Sequence, residues 1–145
     1  MVNIMNFLEF YQNLNYIYGE EIDPDDAEMA YQMAKKHGIS VLSDKEIFCI
    51  VKDGDEVVGA LWTAWNYDEF SFDVVVREDF QGKGVGKKLV DIAISEYNES
   101  NEAYDRGEGT IIRADVINPK MEQLLLKKGF EVESKQPGHT MMVRK

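Results

Sequence analysis

"VVVREDFQGKGVGKKLVDIAI", Val74 to Ile94, passes from a β-branched run through three glycines on alternate positions into an amphipathic helical pattern. A strand, a glycine turn and a helix start, in that order, make a phosphate cradle. The glycines leave successive backbone N–H groups uncovered, and the helix N-terminus carries partial positive charge. Three phosphate-binding patterns compete for the turn. A Walker A loop requires G-x-x-x-x-G-K-[ST], but Gln81 stands at its first glycine and Lys88 at its magnesium-binding hydroxyl. A dinucleotide fingerprint requires G-x-G-x-x-G. Gly82, Gly84 and Gly86 leave its last interval one residue short, and the preceding strands read as a meander rather than as part of a βαβ unit. The pattern Q/R-x-x-G-x-G/A is met in full by Gln81, Gly84 and Gly86. Lys83 and Lys87 would add charge near a bound pyrophosphate, and Gln81 could orient it. The competing reading is a plain glycine turn with solvated lysines.

Outward from this stretch the chain alternates between the two hydrophobic periods. Upstream, "EIFCIVKDGDEVVGALWTAWNY" and "EFSFDVVV" are β-branched and aromatic runs broken by turns at Lys52–Asp55 and Tyr67–Glu69, which predicts a three-stranded antiparallel meander. Before it, "DPDDAEMAYQMAKKHG" carries Asp23 as cap, Pro24 at the first helical position, acids in the first turn, and Lys35, Lys36, His37 and Gly38 at the end, the punctuation of a helix. In "IMNFLEFYQNLNYIY", Ile4, Phe7, Leu8, Tyr11, Leu14 and Tyr18 recur at helical intervals and predict an earlier helix. Downstream, a helix with Val85, Leu89, Ile92, Ala93 and Tyr97 on its apolar face leads into a polar loop, "NESNEAYDRGEG". A strand at Thr110–Ile117, a helix capped by Asn118 with Pro119 in its first turn and Gly129 after its end, and a closing hairpin around "QPG" complete the chain. The predicted order is αα-βββ-α-β-α-ββ, a mixed α/β fold with a central mixed sheet flanked by helices, in a single domain spanning residues 1–145.

Composition narrows the function. With 27 acids against 16 bases the formal net charge is −11, which opposes binding to a phosphate backbone and favours a cationic partner. Nucleic acid is not expected as a partner. Six acids crowd Glu20–Glu28, whereas Lys83, Lys87 and Lys88 gather at the glycine turn, a local basic site in an acidic chain. The one cysteine, Cys49, lies in "IFCIV" and reads as a buried strand thiol, and the two histidines, His37 and His139, are far apart in the chain, so no metal is expected. No apolar run approaches bilayer-spanning length, and "MVNIMNFLEFYQ" lacks a basic n-region, so the expectation is a soluble, cytoplasmic protein with no membrane partner.

At "VVVREDFQGKGVG" the sequence resembles the GCN5-related N-acetyltransferase family, whose members commonly read like L-A-V-x-P-x-Y-R-G-K-G-I-G at this point. Val74, Val75 and Val76 fill the strand positions, Phe80 the aromatic one, and Gln81, Gly82, Lys83, Gly84, Val85 and Gly86 the pyrophosphate loop. A second family signature, N-x-x-A-x-x-L-Y-x-K-x-G-F, aligns with "NPKMEQLLLKKGF" through Asn118, Leu124, Lys127, Gly129 and Phe130. The resemblance covers roughly residues 46–133 and implies acetyl-coenzyme A as co-substrate, bound where two parallel strands splay apart. It further implies that Val74 and Val76 pair with the pantetheine arm through their backbones, that one of those N–H groups polarises the thioester carbonyl, and that the amides of Gly82–Gly86 with Gln81 and Lys87 hold the pyrophosphate. Asn118 would contact pantetheine or organise the cleft, or serve simply as a helix cap.

The implied chemistry is direct attack of a primary amine on the thioester. Such an amine is mostly protonated near neutrality and must lose a proton first. Glu69, Asp73 and Asp115 are the candidate bases, each competing with an ordinary strand carboxylate. Trp65 and Tyr67 share a strand face opposite Trp62; such aromatics are mostly core, but one or two of the three could wall an acceptor pocket, and His139 reads as a turn residue in preference to a place near the cleft mouth. The sequence departs from the family at Leu125, where a tyrosine that protonates the leaving thiolate usually stands. That departure leaves open a second class of function, a protein-binding module on an acetyltransferase scaffold. Dimers are frequent among similar proteins, so a homodimer is also allowed for.

Overall fold

The computed structural model describes residues 14–39, 45–104 and 110–145. Among these residues seven strands form one sheet in the order β1-β2-β3-β4-β5-β7-β6. They are β1 (Leu14–Tyr18), β2 (Glu46–Asp53), β3 (Glu56–Asn66), β4 (Glu69–Val76), β5 (Ile111–Val116), β6 (Glu131–Gln136) and β7 (His139–Arg144). Among the described residues three α-helices accompany them: α1 (Pro24–Lys36), α2 (Val85–Tyr104) and α3 (Pro119–Lys127). Among the described residues only the β4–β5 pair is parallel, as a helix-containing crossover requires. The mixed α/β architecture, with a mixed sheet flanked by helices, is the one the sequence predicts.

The helix punctuation holds at both capped starts. The backbone N–H of Asp25 donates to Asp23 Oδ1 at 2.8 Å, and that of Lys120 to Asn118 Oδ1 at 2.8 Å. Each bond satisfies a backbone donor that the first turn of a helix leaves over. At the far end of α1, Gly38 takes φ 83°, the left-handed conformation in which glycine is not strained.

Two expectations need correction. Leu14–Tyr18 is not the end of a helix but the edge strand β1, paired antiparallel with β2 from Leu14↔Asp53 to Tyr18↔Cys49. Five residues satisfy periods of both 3.6 and 2, and sheet pairing decides: Tyr16 packs into one core and Ile17 into the other, as alternation demands. Ile4, Phe7, Leu8 and Tyr11 lie outside the described residues. The second correction concerns α2, which runs on to Tyr104 into the stretch expected to be a loop, whose residues 105–109 lie outside the described residues. Glu99, Glu102 and Ala103 have good helix propensity, and Ser100 is buried, so the polar stretch is packed at that residue.

The sheet separates two cores. On one face α1 sets its buried Ala30 and Ala34 against Ile50, Ala60, Trp62 and Val75. Small side chains there let the helix backbone approach the strands closely. On the other face Val85, Leu89, Val90 and Ala93 of α2 and Leu125 of α3 pack with Val51, Leu61, Phe70, Phe72 and Ile112. Burying each of the large aliphatic chains contributes roughly 1.5–3 kcal/mol. Along β4 the two faces therefore alternate: Phe70, Phe72, Val74 and Val76 point to the α2–α3 side, and Val75 to the α1 side. Among the described residues no helix is long and apolar enough to cross a membrane.

Candidate acyl-coenzyme site

β4 and β5 are paired from Glu69↔Ile111 to Phe72↔Ala114 and then part. Beyond that point Val74–Val76 stay with β3, while Asp115 and Val116 stay with β7. A cavity of about 620 Å³ opens in the gap, a size typical of small-molecule sites. Phe72, Val74, Val76, Ala114 and Val116 line it from the α2–α3 side, and Val75, His37 and Ile39 from the α1 side. The cavity thus passes through the sheet, with one mouth at the glycine turn and the other at the end of α1.

At the first mouth the turn has the geometry its glycines allow. Gly82 and Gly84 have φ of 77° and 88°, which a residue with a side chain rarely adopts. A Cβ on Gly86 would sit 3.3 Å from Met121 Cε and 3.6 Å from Val76 Cγ2, so any side chain there would intrude between α2, α3 and β4. α2 then begins at Val85 with no acid in its first turn but with Lys87 and Lys88. Bases at the positive end of a helix dipole are unfavourable unless an anion neutralises both. Lys87 lines the cavity, whereas Lys88 Nζ lies 4.0 Å from the centre of the Tyr16 ring and Lys83 Nζ 5.3 Å from that of Phe80.

A polar bridge closes one side of this mouth. Gln81 Nε2 donates to the Val76 carbonyl at 3.0 Å, and Asn118 Nδ2 donates to Gln81 Oε1 at 3.3 Å. Asn118 therefore caps α3 with its oxygen and joins α3 to the glycine turn with its nitrogen.

Of the residues singled out in the sequence, Val74, Val75, Val76, Gln81, Gly82, Gly84, Gly86, Lys87, Asp115 and Asn118 all line the cavity. Lys83 does not, and the Val85 side chain is buried in the core, 3.1 Å from where a Cβ on Gly59 would be. The three carboxylates separate. Glu69 sits at the paired end of β4, where Arg113 Nη1 donates to it at 2.6 Å. Asp73 is buried and meets Lys45 Nζ at 3.2 Å. Asp115 alone lines the cavity, and His139 Nδ1 donates to it at 3.0 Å. His139, expected as a turn residue, is thus the first residue of β7 and the partner of Asp115.

None of Trp62, Trp65 and Tyr67 lines the cavity. Trp65 stacks on Tyr97 with centroids 5.8 Å apart, Trp62 is buried beneath α1, and Tyr67 is 89% exposed at a hairpin tip. Leu125, at the position of the absent tyrosine, is fully buried among the cavity walls. Sequence reasoning also passed over His37. It read as a basic helix end, and the available signal was an imidazole set between the last turn of a helix and a terminating glycine. Among the described residues no group of three or more His, Cys, Asp or Glu side chains could hold a metal ion.

Comparison with known proteins agrees with this geometry. Residues 44–132, more than half of the chain, match the family model described as an acetyltransferase (GNAT) domain. No curated protein matches the chain. Among solved structures the fold is similar to Ard1 from Thermoplasma volcanium, with TM-score 0.64 and 18% identity over 91% of this chain and 97% of that one. It is also similar to the ribosomal-protein-S18-alanine N-acetyltransferase from Escherichia coli, with TM-score 0.62 and 15% identity over 90% and 92%. A third, yncA from Salmonella typhimurium, a putative acetyltransferase solved with its cofactor acetyl-CoA, gives TM-score 0.57 and 16% identity over 92% and 94%. With that family model spanning its central strands, its glycine turn and α3, the chain belongs to the GNAT family of acetyltransferases.

Proposed function

We propose that this protein is an acetyl-coenzyme A-dependent N-acetyltransferase that acts on a primary amine of a cationic acceptor. The observation that carries the reading is the single cavity running from the glycine turn through the β4–β5 gap to the far face of the sheet. A long coenzyme entering from one face and an acceptor entering from the other would meet inside it.

The residues present fit such a coenzyme. The amides of the Gly82–Gly86 turn, the start of α2 and Lys87 would hold a pyrophosphate, since the unfavourable lysines of that helix start become favourable once an anion is bound. The backbone of Val74 and Val76 on the side of β4 away from β3, where Gln81 already holds the Val76 carbonyl, would pair with an extended amide-bearing arm as an added strand does. Gln81 and Asn118, already bonded to one another, would keep the turn and α3 at a set distance. Acetyl-coenzyme A, when bound, supplies an activated acetyl thioester that an amine can attack. Asp115 at the other mouth would draw in the acceptor's positive charge, in keeping with the net charge of −11. With Leu125 fully buried, no side chain at that position donates a proton to the departing thiolate, a good leaving group that water can protonate.

Titration calorimetry tests the reading. The wild-type chain should bind acetyl-coenzyme A and not ATP with magnesium. Gly84→Trp, which puts a bulky residue at φ 88° over the turn amides, should weaken binding by about tenfold or more, with circular dichroism as the check on its folding. Absence of acetyl-coenzyme A binding in the wild type would overturn the proposal.

A further inference from the structure

We propose that His37 Nε2 is the base that takes the proton from the acceptor's ammonium group, an inference that rests on the N-acetyltransferase reading above. His37 closes α1 and lines the cavity on the α1 side of the sheet, the side away from the glycine turn, and is half-buried there. Its neighbour Ile39 lines the same mouth, and a Cβ on Gly38 would lie 3.9 Å from Ile117 Cδ1, so the end of α1 abuts the end of β5.

The ring's orientation follows from one hydrogen bond. His37 Nδ1 lies 2.8 Å from the carbonyl oxygen of Met33. A carbonyl oxygen only accepts, so Nδ1 carries a hydrogen in every protonation state. In the neutral ring the lone pair is therefore on Nε2, the nitrogen not tied to the helix. A histidine fixed this way has its basic atom chosen by the backbone and its ring held by α1.

The alternatives at this mouth are less suited. Asp115 is bonded to His139, so its carboxylate is already engaged, whereas the helix hydrogen bond of His37 leaves the Nε2 lone pair available. Glu69 and Asp73 do not line the cavity. His139 gives its Nδ1 to Asp115 and is likewise absent from the lining. Asp115 is thus the group that attracts the ammonium, and His37 the group that deprotonates it.

The step balances simply. One N–H bond of the acceptor ammonium breaks, its proton bonds to Nε2, and the electron pair stays on the amine nitrogen, which becomes nucleophilic. The imidazolium formed sits at the C-terminal end of α1, where the helix dipole favours positive charge, and returns its proton to solvent. The charged groups that share the cavity with it are Glu78, Lys87, Asp115 and Lys120, with Lys35 and Lys36 preceding it on α1.

Two measurements on the full chain test the assignment. In the first, the two histidines are labelled with 15N and assigned with His37→Gln and His139→Gln. The probe is coenzyme A joined through its sulfur to an acetamide of 1,4-diaminobutane, which puts an amide nitrogen where the attacking amine would be. Neutral His37 should appear as the Nδ1–H tautomer, and the conjugate, unlike coenzyme A alone, should shift its Nε2 resonance. In the second, coenzyme A release is followed with n-butylamine as acceptor. His37→Gln should lower kcat by about a hundredfold or more, remove the acid limb of its pH profile, and leave acetyl-coenzyme A affinity within about twofold. Asp115→Asn should act mainly on the KM of the amine.

A conjugate that binds without moving His37 Nε2, or a His37→Gln variant that keeps its rate and pH profile, overturns the assignment while leaving the coenzyme site intact. If butylamine is not turned over, the imidazole spectrum decides alone. A wild-type chain that does not bind acetyl-coenzyme A removes the underlying function as well, and the calorimetry distinguishes that case.

Discussion

Gly59, on β3, lies directly beneath the first residue of α2. A Cβ there would stand 3.1 Å from Val85 Cγ1 and 3.4 Å from both Leu89 Cδ1 and Val51 Cγ2, three side chains that are themselves buried. Val85 would have to give by a few tenths of an ångström within a buried cluster, so Gly59→Ala should lose about 1–3 kcal/mol in urea denaturation through overpacking. Because Val85 follows the glycine turn directly, the same variant should also weaken acetyl-coenzyme A binding in calorimetry. Cys49 illustrates the opposite, a residue whose sequence reading held. It is fully buried, and burial, only partly offset by the charge of Lys88, pushes its thiol up to about 11, far from a nucleophile's range. Asp23 and Asn118 were legible as caps because capping depends on neighbours two or three positions away. The place of His37 at the cavity and the Asp115–His139 pair were not, because lining a cavity and pairing across strands depend on residues far apart in the chain.

Among the elements, α2 shows where a local polar stretch hides packed structure. Glu96, half-buried on this helix, has its carboxyl pushed up, first by burial and then by the nearby charge of Glu99. A carboxyl with a raised value in the folded state holds its proton longer there than in the unfolded chain. Stability is therefore lost as pH rises from the ordinary glutamate value through the raised one, and at neutral pH the charged Glu96 is a net burden. Glu96→Gln should raise Tm modestly at pH 7, and the gain should vanish below the carboxylate range, a crossing that thermal melts at several pH values would reveal. Edge strand β1 makes the complementary point. Its five residues fit two periods, and only the backbone of β2 beside it selects the extended one.

Across the whole molecule, the site depends on β4 and β5 staying joined at one end while they part at the other. Arg113 ties the joined end, donating to Glu69 on β4 at 2.6 Å and to Glu133 on β6 at 2.8 Å. All three groups are partly exposed, so Arg113→Met should cost about 1–2 kcal/mol, between the limits for exposed and buried pairs. In thermal melts that is a fall in Tm of roughly 2–8 °C for a chain of this size. Acetyl-coenzyme A affinity should be little changed, because the ladder from Glu69 to Phe72 also holds the joined end.

By itself the sequence determined the order of strands and helices from the meander onward, the capped helix starts, the glycine turn and the family to which they point. Each of these is written in residues a few positions apart. What only the tertiary structure decided is which side chains share the cavity. β4 and β5 are joined through α2, so the register at which they pair and then separate is a long-range property. That register puts Asp115 in the gap and Glu69 at the paired end, and the packing of α1 on the opposite face brings His37 to the second mouth. Spacing along the chain reports local geometry, whereas a cavity lined by three separate elements exists only after the sheet has brought them together.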